Sequence, residues 1–465
     1  MADKLFDFGM VGLGTMGKNL ALNIADHGHS VAGYARSQEK ADAFSVLHEN
    51  VLGIPDYKLF VTSIRKPRAI MILVPAGEAT DQVIAELKPF LEPADFIIDG
   101  GNAYFKDTDR RLAALKAEGF DFMGMGVSGG ESGARRGPSM MPGGSQESYA
   151  RVQPILESVA AHFHGEPCVA LMGAKSAGHY VKMVHNGIEY AIMQLISETY
   201  DLMHRGQGRS NSEIADVFEK WNDGSLQGFL TQITVTVLRY KDEKTGGDLV
   251  DLISDKAKSK GTGKWTSQDA FDLGIPVPTI DAAVSARELS GYKADRTKIS
   301  ASAAIPPMAA HASDDDIHDA LLAGMLLAYA QGLALIRAAS DEYGYGVDLA
   351  KAAAVWRAGC IIRSAQLEPI RAAVARDPHS ANLLLDEEFR AGVIDRRDGL
   401  RRIAMAFIQI GIPAPAHQAS LAYLDGYSSA RLPANLIQGQ RDLFGAHTYE
   451  RLDAEGSFHT QWEPA

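Results

Sequence analysis

Five polar side chains recur at helical spacing within one apolar segment of the chain. They stand at positions i, i+3, i+4, i+7 and i+8, so a helix would place all of them along one face: Lys182, His185, Asn186, Glu189 and Tyr190. Because the flanking residues are apolar, we expect Lys182 and Glu189 to be at least partly buried. Burial lowers the pKa of a lysine and raises that of a glutamate, which makes the pair a usable general base and general acid. The alternative is the polar face of a surface helix, with His185 as a hydrogen-bonded core histidine.

A glycine-rich loop near the N-terminus could hold a dinucleotide. The loop has the G-x-G-x-x-G pattern between a predicted strand and a predicted helix, and consists of Gly12, Leu13, Gly14, Thr15, Met16 and Gly17. Glycines at these positions allow a tight turn and let backbone N–H groups approach a pyrophosphate at the helix N-terminus. In this strand–loop–helix context the pattern favours dinucleotide binding over a turn that serves packing alone.

The residues after the second predicted strand favour NADP over NAD. Sites for NAD usually place an acidic residue about twenty residues after the glycines, where it binds the ribose 2′-hydroxyl. Here the chain has Tyr34, Ala35, Arg36 and Ser37, with no acid. Arg36 can pair with a 2′-phosphate and stack on adenine, and Ser37 can donate to the same phosphate. The alternative is that Arg36 is a solvated surface residue.

Length and composition narrow the class of protein. The chain has 465 residues, with 46 Lys and Arg against 58 Asp and Glu, and a formal net charge of −12. This length predicts about two or three domains with sizeable cores. The acidic balance argues against binding of bulk nucleic acid, which needs a basic surface. A small anionic ligand held by a local cluster of Lys and Arg remains compatible with it.

The sequence indicates neither export nor a membrane span. Cys168 and Cys360 have no partner at metal-ligand spacing, so we expect no disulfide framework, no metal site and a reducing cytoplasm. The N-terminus carries acids and lacks a long apolar core, unlike a signal peptide. The most apolar stretch, residues 321–336, is interrupted by Gly324 and Gln331, which predicts a buried helix instead of a membrane span.

The hydrophobic pattern changes along the chain. Strands are predicted at residues 5–11, 30–34, 69–74, 96–99 and 122–127, with helices at 17–27 and 39–48, which is typical of a parallel α/β sheet. Glycines and prolines cluster over residues 124–144, where we predict a long functional loop. From residue 178 long helices dominate, beginning with one over 178–204. We therefore predict an α/β Rossmann-like domain over 1–177, an all-α domain over 178–434 and a C-terminal tail over 435–465.

Five segments carry a resemblance to a known family. They are VSGGE at 127–131, GPSMMPGG at 137–144, GHYVKMVHNG at 178–187, KGTGKWT at 260–266 and QRDLFGAHTY at 440–449. Together they resemble the 6-phosphogluconate dehydrogenases, and the resemblance covers essentially the whole chain. The last two motifs are specific to this decarboxylating family. The first three include elements shared with the wider β-hydroxyacid dehydrogenases.

The resemblance implies a reaction and a role for each catalytic group. In the family, the lysine matching Lys182 takes the proton of the C3 hydroxyl of 6-phosphogluconate while hydride passes to NADP. The β-keto acid then loses CO2, and the protonated lysine polarises the ketone so that an enediol forms. The glutamate matching Glu189 protonates C1 to give ribulose 5-phosphate. The sequence requires no metal for this chemistry, since a protonated lysine can stabilise the enolate charge.

The resemblance also implies the binding residues. Ser128, Gly129 and Gly130 match the loop for the substrate carboxylate, and Asn102, His185 and Asn186 match the residues for its hydroxyls. The positions that hold the substrate phosphate are matched by Tyr190, Lys260, Arg287, Arg441 and His447. On the cofactor side the matches are Val74, Pro75, Ala76 and Asn102. Without the resemblance, Arg287 is an ordinary exposed helix charge, and Lys260 simply precedes a turn whose free N–H groups could bind phosphate.

Two positions depart from the family pattern. Ala35 stands where the family commonly has asparagine, and Pro75 where it commonly has lysine. Both lie on the cofactor side, so they bear on the affinity for NADP and on how strictly it is preferred to NAD.

The family architecture implies an obligate homodimer in the cytoplasm, acting in the pentose phosphate pathway and in gluconate utilization. The C-terminal tail would cross into the partner subunit and complete its site with Arg441 and His447. One alternative is a related β-hydroxyacid dehydrogenase with a different substrate, which gives no reason for the phosphate-binding cluster. Another is a non-catalytic NADP-binding protein, which would need neither Lys182 nor Glu189.

Overall fold

The computed structural model describes residues 5–259, 261–303 and 310–462. Within these ranges one seven-stranded sheet dominates the first part of the chain, in the order β3-β2-β1-β4-β5-β6-β7. Its strands are β1 (Phe8–Val11), β2 (Val31–Tyr34), β3 (Val51–Ile54), β4 (Ala69–Ile72), β5 (Phe96–Asp99), β6 (Asp121–Ser128) and β7 (Ser139–Gly143). The first six strands in this order are parallel, and β7 pairs antiparallel with β6. This is a doubly wound nucleotide-binding sheet with one added antiparallel edge strand.

Seven helices connect these strands and follow the sheet. They are α1 (Thr15–Asp26), α2 (Gln38–Ser45), α3 (Tyr57–Thr62), α4 (Glu78–Leu87), α5 (Phe105–Ala117), α6 (Gly130–Arg136) and α7 (Gln146–Val159), with a 3-10 turn at Lys88–Phe90. A two-stranded ribbon of β8 (His162–Phe163) and β9 (Glu166–Pro167) ends this part of the chain. Every residue of β4 and β5 is buried, as expected of central strands covered on both faces.

The chain then becomes helical, which confirms the predicted fold class. It continues with α8 (Ala177–Asp201), a π-helical turn (Leu202–Gly206), α9 (Asn211–Asn222), α10 (Phe229–Arg239), α11 (Leu249–Leu252), α12 (Thr262–Asp272), α13 (Pro278–Ser290), α14 (Lys293–Ser300) and α15 (Asp314–Tyr343). The remaining elements are α16 (Leu349–Val355), α17 (Leu367–Arg376), a 3-10 turn (Leu383–Leu385), α18 (Glu387–Ile394), α19 (Arg397–Ile410) and α20 (Pro415–Tyr427).

Helix α15 contains the most apolar stretch of the sequence. It is the one helix among the described residues that is long and apolar enough to cross a membrane by length and composition, but 89% of its most apolar window is buried inside the protein. Ser313 caps its N-terminus by accepting a hydrogen bond from the N–H of Asp316. Because α15 packs against α8 and α19, the prediction of a buried helix over residues 321–336 is confirmed.

The chain divides into two compact units, one comprising residues 1–420 and one comprising residues 421–465. The second unit contains the end of α20, helix α21 (Ala434–Gly445) and a small antiparallel ribbon of β10 (Tyr449–Glu450) and β11 (Ser457–Phe458). The three-domain division at residues 177 and 434 stays a prediction.

The prediction of a long loop over residues 124–144 is wrong. This stretch holds the second half of β6, the short helix α6 and the strand β7. Its glycines serve two other purposes. Gly129, Gly130 and Gly137 have positive φ angles of 119°, 62° and 134° and form the sharp corners around α6, while Gly126 and Gly143 lie inside strands where another backbone comes close.

Helix α8 lies directly on the backbone of β6 and β7, and glycines make this approach possible. A Cβ atom on Gly126 would lie 2.3 Å from Lys182 Cβ, and one on Gly143 would lie 2.2 Å from the backbone N of Gly178. From the helix side, a Cβ on Gly178 would lie 2.2 Å from the carbonyl oxygen of Met141. No side chain larger than glycine fits at these points without movement, so the glycines fix how deeply α8, and with it Lys182, is buried.

We expect Gly126→Ala to lower kcat and the stability of the protein together. The added methyl group overlaps Lys182 Cβ, and such overpacking costs about 1–3 kcal/mol of folding free energy. Thermal unfolding and steady-state kinetics measure the two effects. Gly392→Ala is the matched control, because no atom would lie within 4 Å of its Cβ in α18. Wild-type activity and unfolding temperature in Gly126→Ala would contradict this account of the packing.

Candidate functional site

The polar face of α8 forms a connected and almost dry cluster. Lys182 is 5% exposed, His185 is fully buried and Asn186 is 8% exposed. Lys182 Nζ donates to Asn186 Oδ1 at 2.8 Å and lies 3.3 Å from His185 Nδ1. His185 Nδ1 is in turn 3.0 Å from the same Asn186 oxygen. The spacing in the sequence therefore predicted the shared helix face and the burial of Lys182, and the structure shows both.

Two neighbouring segments complete this cluster. Ser128, the last residue of β6, places its Oγ 3.3 Å from His185 Nε2. Thr262, at the start of α12, accepts a hydrogen bond from Asn186 Nδ2 at 3.1 Å. The ring of Trp356 meets that of His185 edge to face, with 5.9 Å between centroids. Thr262 and Trp356 were not among the predicted site residues, although Thr262 stands within the KGTGKWT segment that carried the resemblance.

Burial sets the pKa values of the ionisable groups in this cluster. It lowers the pKa of Lys182, against the opposing influence of Glu189 and Cys360. It raises the pKa of Glu189, and the positive charges of Lys182 and Arg287 only partly offset this. The pKa of His185 lies well below its usual range because of burial and the nearby Lys182. The arrangement therefore favours a neutral amine, a neutral imidazole and a protonated carboxyl group.

Arg287 and Tyr190 lie next to each other beyond Glu189. The guanidinium carbon of Arg287 is 3.5 Å from the centroid of the Tyr190 ring, a close cation–π contact. A Cβ on Gly263 would lie 2.5 Å from that ring, so this glycine leaves room for Tyr190. The interpretation of Arg287 as an ordinary exposed helix charge does not hold. Lys260 lies outside the described residues.

The loops at the ends of β5 and β6 hold the other residues predicted to bind substrate. Asn102 is exposed in the loop after β5, where Asp99 Oδ1 accepts a hydrogen bond from the N–H of Gly101 at 3.0 Å. Gly129 approaches the chain after α16, since a Cβ there would lie 2.5 Å from the carbonyl oxygen of Gly359. At Gly130 a Cβ would meet no atom within 4 Å, so the space beside it is open.

A separate cleft of about 880 Å³ lies at the C-terminal ends of β1, β2 and β4. Of the residues predicted to bind the cofactor, six line it: Gly12, Leu13, Gly14, Arg36, Val74 and Pro75. Lys18 and Lys40 also line the cleft and add positive charge to that of Arg36. The rings of Tyr34 and Tyr57 stack in the same cleft with 3.7 Å between centroids. Sequence analysis did not identify Lys18, Lys40 or Tyr57, although Lys40 follows Arg36 by one helical turn.

The other predicted cofactor residues are not in the lining of this cleft. Thr15, Met16 and Gly17 form the first turn of α1, and Gly17 packs so tightly that a Cβ would lie 2.0 Å from the carbonyl oxygen of Gly12. Ser37 caps α2 by accepting a hydrogen bond from the N–H of Lys40 at 3.4 Å. Ala76 is exposed.

Arg441 and His447 belong to the second compact unit, residues 421–465. Both are exposed, and His447 lies edge to face with Phe444 at 5.7 Å between ring centroids. Elsewhere, among the residues that the structure describes, no group of three or more His, Cys, Asp or Glu side chains could hold a metal ion.

Two family profiles match this architecture. That of the NAD binding domain of 6-phosphogluconate dehydrogenase matches residues 7–219, and that of the C-terminal domain of 6-phosphogluconate dehydrogenase matches residues 178–462. The chain belongs to the 6-phosphogluconate dehydrogenase family. This confirms the resemblance inferred from the sequence motifs.

Relatives within the 6-phosphogluconate dehydrogenase family match nearly the full chain. The NADP(+)-dependent, decarboxylating 6-phosphogluconate dehydrogenase of Bacillus subtilis is 48% identical, covering 98% of this chain and 98% of its own. The decarboxylating 6-phosphogluconate dehydrogenase of Escherichia coli is 49% identical with the same coverage. Among solved structures, that of Plasmodium falciparum 6-phosphogluconate dehydrogenase, studied in its apo form and in complex with NADP+ and 6-phosphogluconate, has a TM-score of 0.94 and 40% identity, covering 98% of this chain and 100% of that one.

Proposed function

We propose that this chain acts as an NADP-dependent, decarboxylating 6-phosphogluconate dehydrogenase in which Lys182 is the general base and Glu189 the general acid. The observation that carries the proposal is the buried amine of Lys182, anchored on Asn186 beside His185 and at the floor of the substrate loops. The family relatives named above support the overall reaction, and the geometry supports the assignment of roles.

The cleft fits NADP. The glycine loop lines one side of it, and Lys18, Arg36 and Lys40 supply positive charge for phosphate groups. Arg36 lies beyond β2, at the end of the strand where a 2′-phosphate is selected. When bound, NADP accepts the hydride from C3 of the substrate. The two departures at Ala35 and Pro75 leave this charge in place, because neither position carries it.

Lys182 would take up the proton of the C3 hydroxyl. A neutral amine can do this only if it is deprotonated before reaction, and burial lowers its pKa in that direction. One of its N–H bonds is fixed on Asn186 Oδ1, which leaves the lone pair free for the hydroxyl proton. Once protonated, the same group stabilises the oxyanion that develops as CO2 leaves, and it does so in surroundings with little water.

Glu189 would deliver a proton to C1 in the last step. Its raised pKa keeps the carboxyl group protonated at a higher pH than that of an ordinary glutamate. It lies two helical turns after Lys182, with Oε2 3.9 Å from His185 Nδ1. The base and the acid therefore project into the same space from one rigid helix.

The remaining predicted residues would hold the substrate. Ser128, Gly129 and Gly130 would face its carboxylate, and Asn102, His185 and Asn186 its hydroxyl groups. Tyr190, Lys260 and Arg287 would surround its phosphate. The stacking of Arg287 on Tyr190 supports this assignment, since the ring holds the guanidinium in place beside Glu189.

Arg441 and His447 would complete the phosphate site of a second copy, which makes the working unit a homodimer. Both are exposed, and the helix that carries Arg441 also exposes large apolar side chains: Leu436 is 65%, Ile437 59% and Phe444 70% exposed. Apolar side chains so exposed on a short unit are typical of a surface that is covered by a partner. We propose a location in the cytoplasm.

The reaction is tested by measuring NADPH absorbance and CO2 release together from purified protein given 6-phosphogluconate. We expect equal amounts of both with NADP. Lys182→Met should produce neither while still binding NADPH, because it keeps the cleft and loses the base. NADPH without CO2 would point to a non-decarboxylating relative. Near wild-type turnover by Lys182→Met would remove Lys182 as the base.

The pH dependence of hydride transfer tests the proposed pair. The reactive form needs a deprotonated Lys182 and a protonated Glu189, so the single-turnover rate should rise and then fall with pH, with apparent pKa values that belong to the pair. In Glu189→Gln only the deprotonation of Lys182 remains necessary, and the rate should rise with pH to a plateau. Retention of the falling limb in Glu189→Gln would exclude Glu189 as its origin.

Arg36→Ala tests the selection of NADP. Removing a charged partner of the 2′-phosphate should raise the KM for NADP about 10- to 100-fold, as expected for the loss of a charge-assisted hydrogen bond. The KM for NAD, which lacks this phosphate, should stay nearly constant. Arg65→Ala is the matched control, because Arg65 is exposed in the same part of the chain and pairs with Asp7. Equal effects on both cofactors would contradict the proposal.

A further inference from the structure

A single carboxylate organises the C-terminal unit, residues 421–465. Asp442 is fully buried in a unit whose other residues are mostly exposed. Its Oδ1 accepts from the backbone N–H of Thr448 at 3.0 Å and from His459 Nδ1 at 2.9 Å. Its Oδ2 accepts from the N–H of Thr460 at 3.0 Å and from Trp462 Nε1 at 2.8 Å. Four donors meet the four lone-pair positions of a carboxylate, so the side chain joins α21 to the segment around β10 and to the end of the described chain.

The same residue holds a turn in an unfavourable backbone conformation. Ala446 and Thr448 have positive φ angles of 51° and 59°, which is uncommon for alanine and a clear outlier for a β-branched residue. Such residues persist only where the surroundings fix them. Here the N–H of Ala446 donates to the backbone oxygen of Asp442 at 2.9 Å and that of Thr448 donates to its side chain. Gln438 Nε2 holds the carbonyl of Thr448 from the other side at 2.5 Å.

His447 stands between these two constrained residues. Its imidazole lies over Gly445, where a Cβ would be 2.6 Å from Nε2, and its edge faces Phe444. Arg441 immediately precedes Asp442 on α21 and is exposed. The turn thus fixes where the imidazole projects, and the burial of Asp442 fixes which side of α21 faces outward.

We propose that Asp442 is the positioning residue that presents His447 and Arg441 as a preformed phosphate-binding hook. This inference rests on the proposed function, in which those two side chains bind the phosphate of the substrate. Asp442 touches neither substrate nor cofactor in this assignment. It acts by holding the turn, so that substrate binding does not have to order it.

The charge of Asp442 is maintained over the working pH range. Burial by itself raises the pKa of this carboxyl group, but the hydrogen bonds from His459, Thr460 and Trp462 bring it down to about 2. A neutral amide at this position would present two N–H donors to groups that are themselves donors. Asp442→Asn therefore removes the function of the side chain while keeping its size.

The test compares Asp442→Asn, His447→Asn and the double variant in the full-length protein. We expect each single change to raise the KM for 6-phosphogluconate about tenfold, with kcat changed by less than about twofold, as for a group that binds a remote part of the substrate. The double variant should be no worse than the worse single variant, because both act through one contact. The inhibition constant of gluconate, which lacks the phosphate, should stay the same in all three.

The outcomes separate the two levels of the argument. Unchanged KM in His447→Asn would overturn the proposed phosphate role of His447. A raised KM in His447→Asn with no change in Asp442→Asn, or additive effects in the double variant, would overturn the role of Asp442 alone. Asp453→Asn is the matched control, since its exposed carboxylate in the same unit pairs only with Arg451 among the contacts described, and its KM should be that of the wild type.

A milder variant covers the case in which Asp442→Asn does not fold. Gln438→Leu removes the hydrogen bond to the carbonyl of Thr448 and leaves those to Asp442 intact. It should raise the KM for 6-phosphogluconate in the same direction by a smaller factor, again without changing the inhibition constant of gluconate. No change in the KM of Gln438→Leu would contradict the proposed role of the turn.

Discussion

The close approach of α8 to the backbone of β6 and β7 is the constraint on which the site depends. It is possible only because Gly126, Gly143 and Gly178 present no side chains where the helix meets the sheet. The approach excludes water from around Lys182, and burial is the main cause of its lowered pKa. Packing that a fold needs for stability thus also sets the protonation state of the residue proposed to start the reaction.

The same contact brings the separate parts of the site into register. Strand β6 ends at Ser128, which reaches His185, while α12 begins at Thr262, which reaches Asn186. Because both anchors attach to the same turn of α8, the substrate loops and the proposed base move as one body. The cofactor cleft lies at the ends of β1, β2 and β4, so the sheet itself relates the hydride acceptor to the base.

The sequence predicted the parts of this arrangement that follow from local pattern. The spacing of Lys182, His185 and Glu189 is helical, and the glycine loop follows a strand, so both could be placed without a structure. The stretch over residues 124–144 could not, because glycines that admit a neighbouring backbone have the same composition as glycines in a loop. Contacts between distant segments were equally invisible: nothing local pairs Tyr34 with Tyr57, or Arg287 with Tyr190.

The most direct test of this account is the pKa of Lys182 in the enzyme without substrate. It can be measured by NMR titration of lysine labelled at the Cε position, with Lys182→Met used to assign the signal. The account predicts a pKa below the ordinary value of about 10.5 for a lysine, so that a neutral amine is available before the hydroxyl proton is removed. A value at or above 10.5 would contradict it, because burial on the sheet would then not prepare the base.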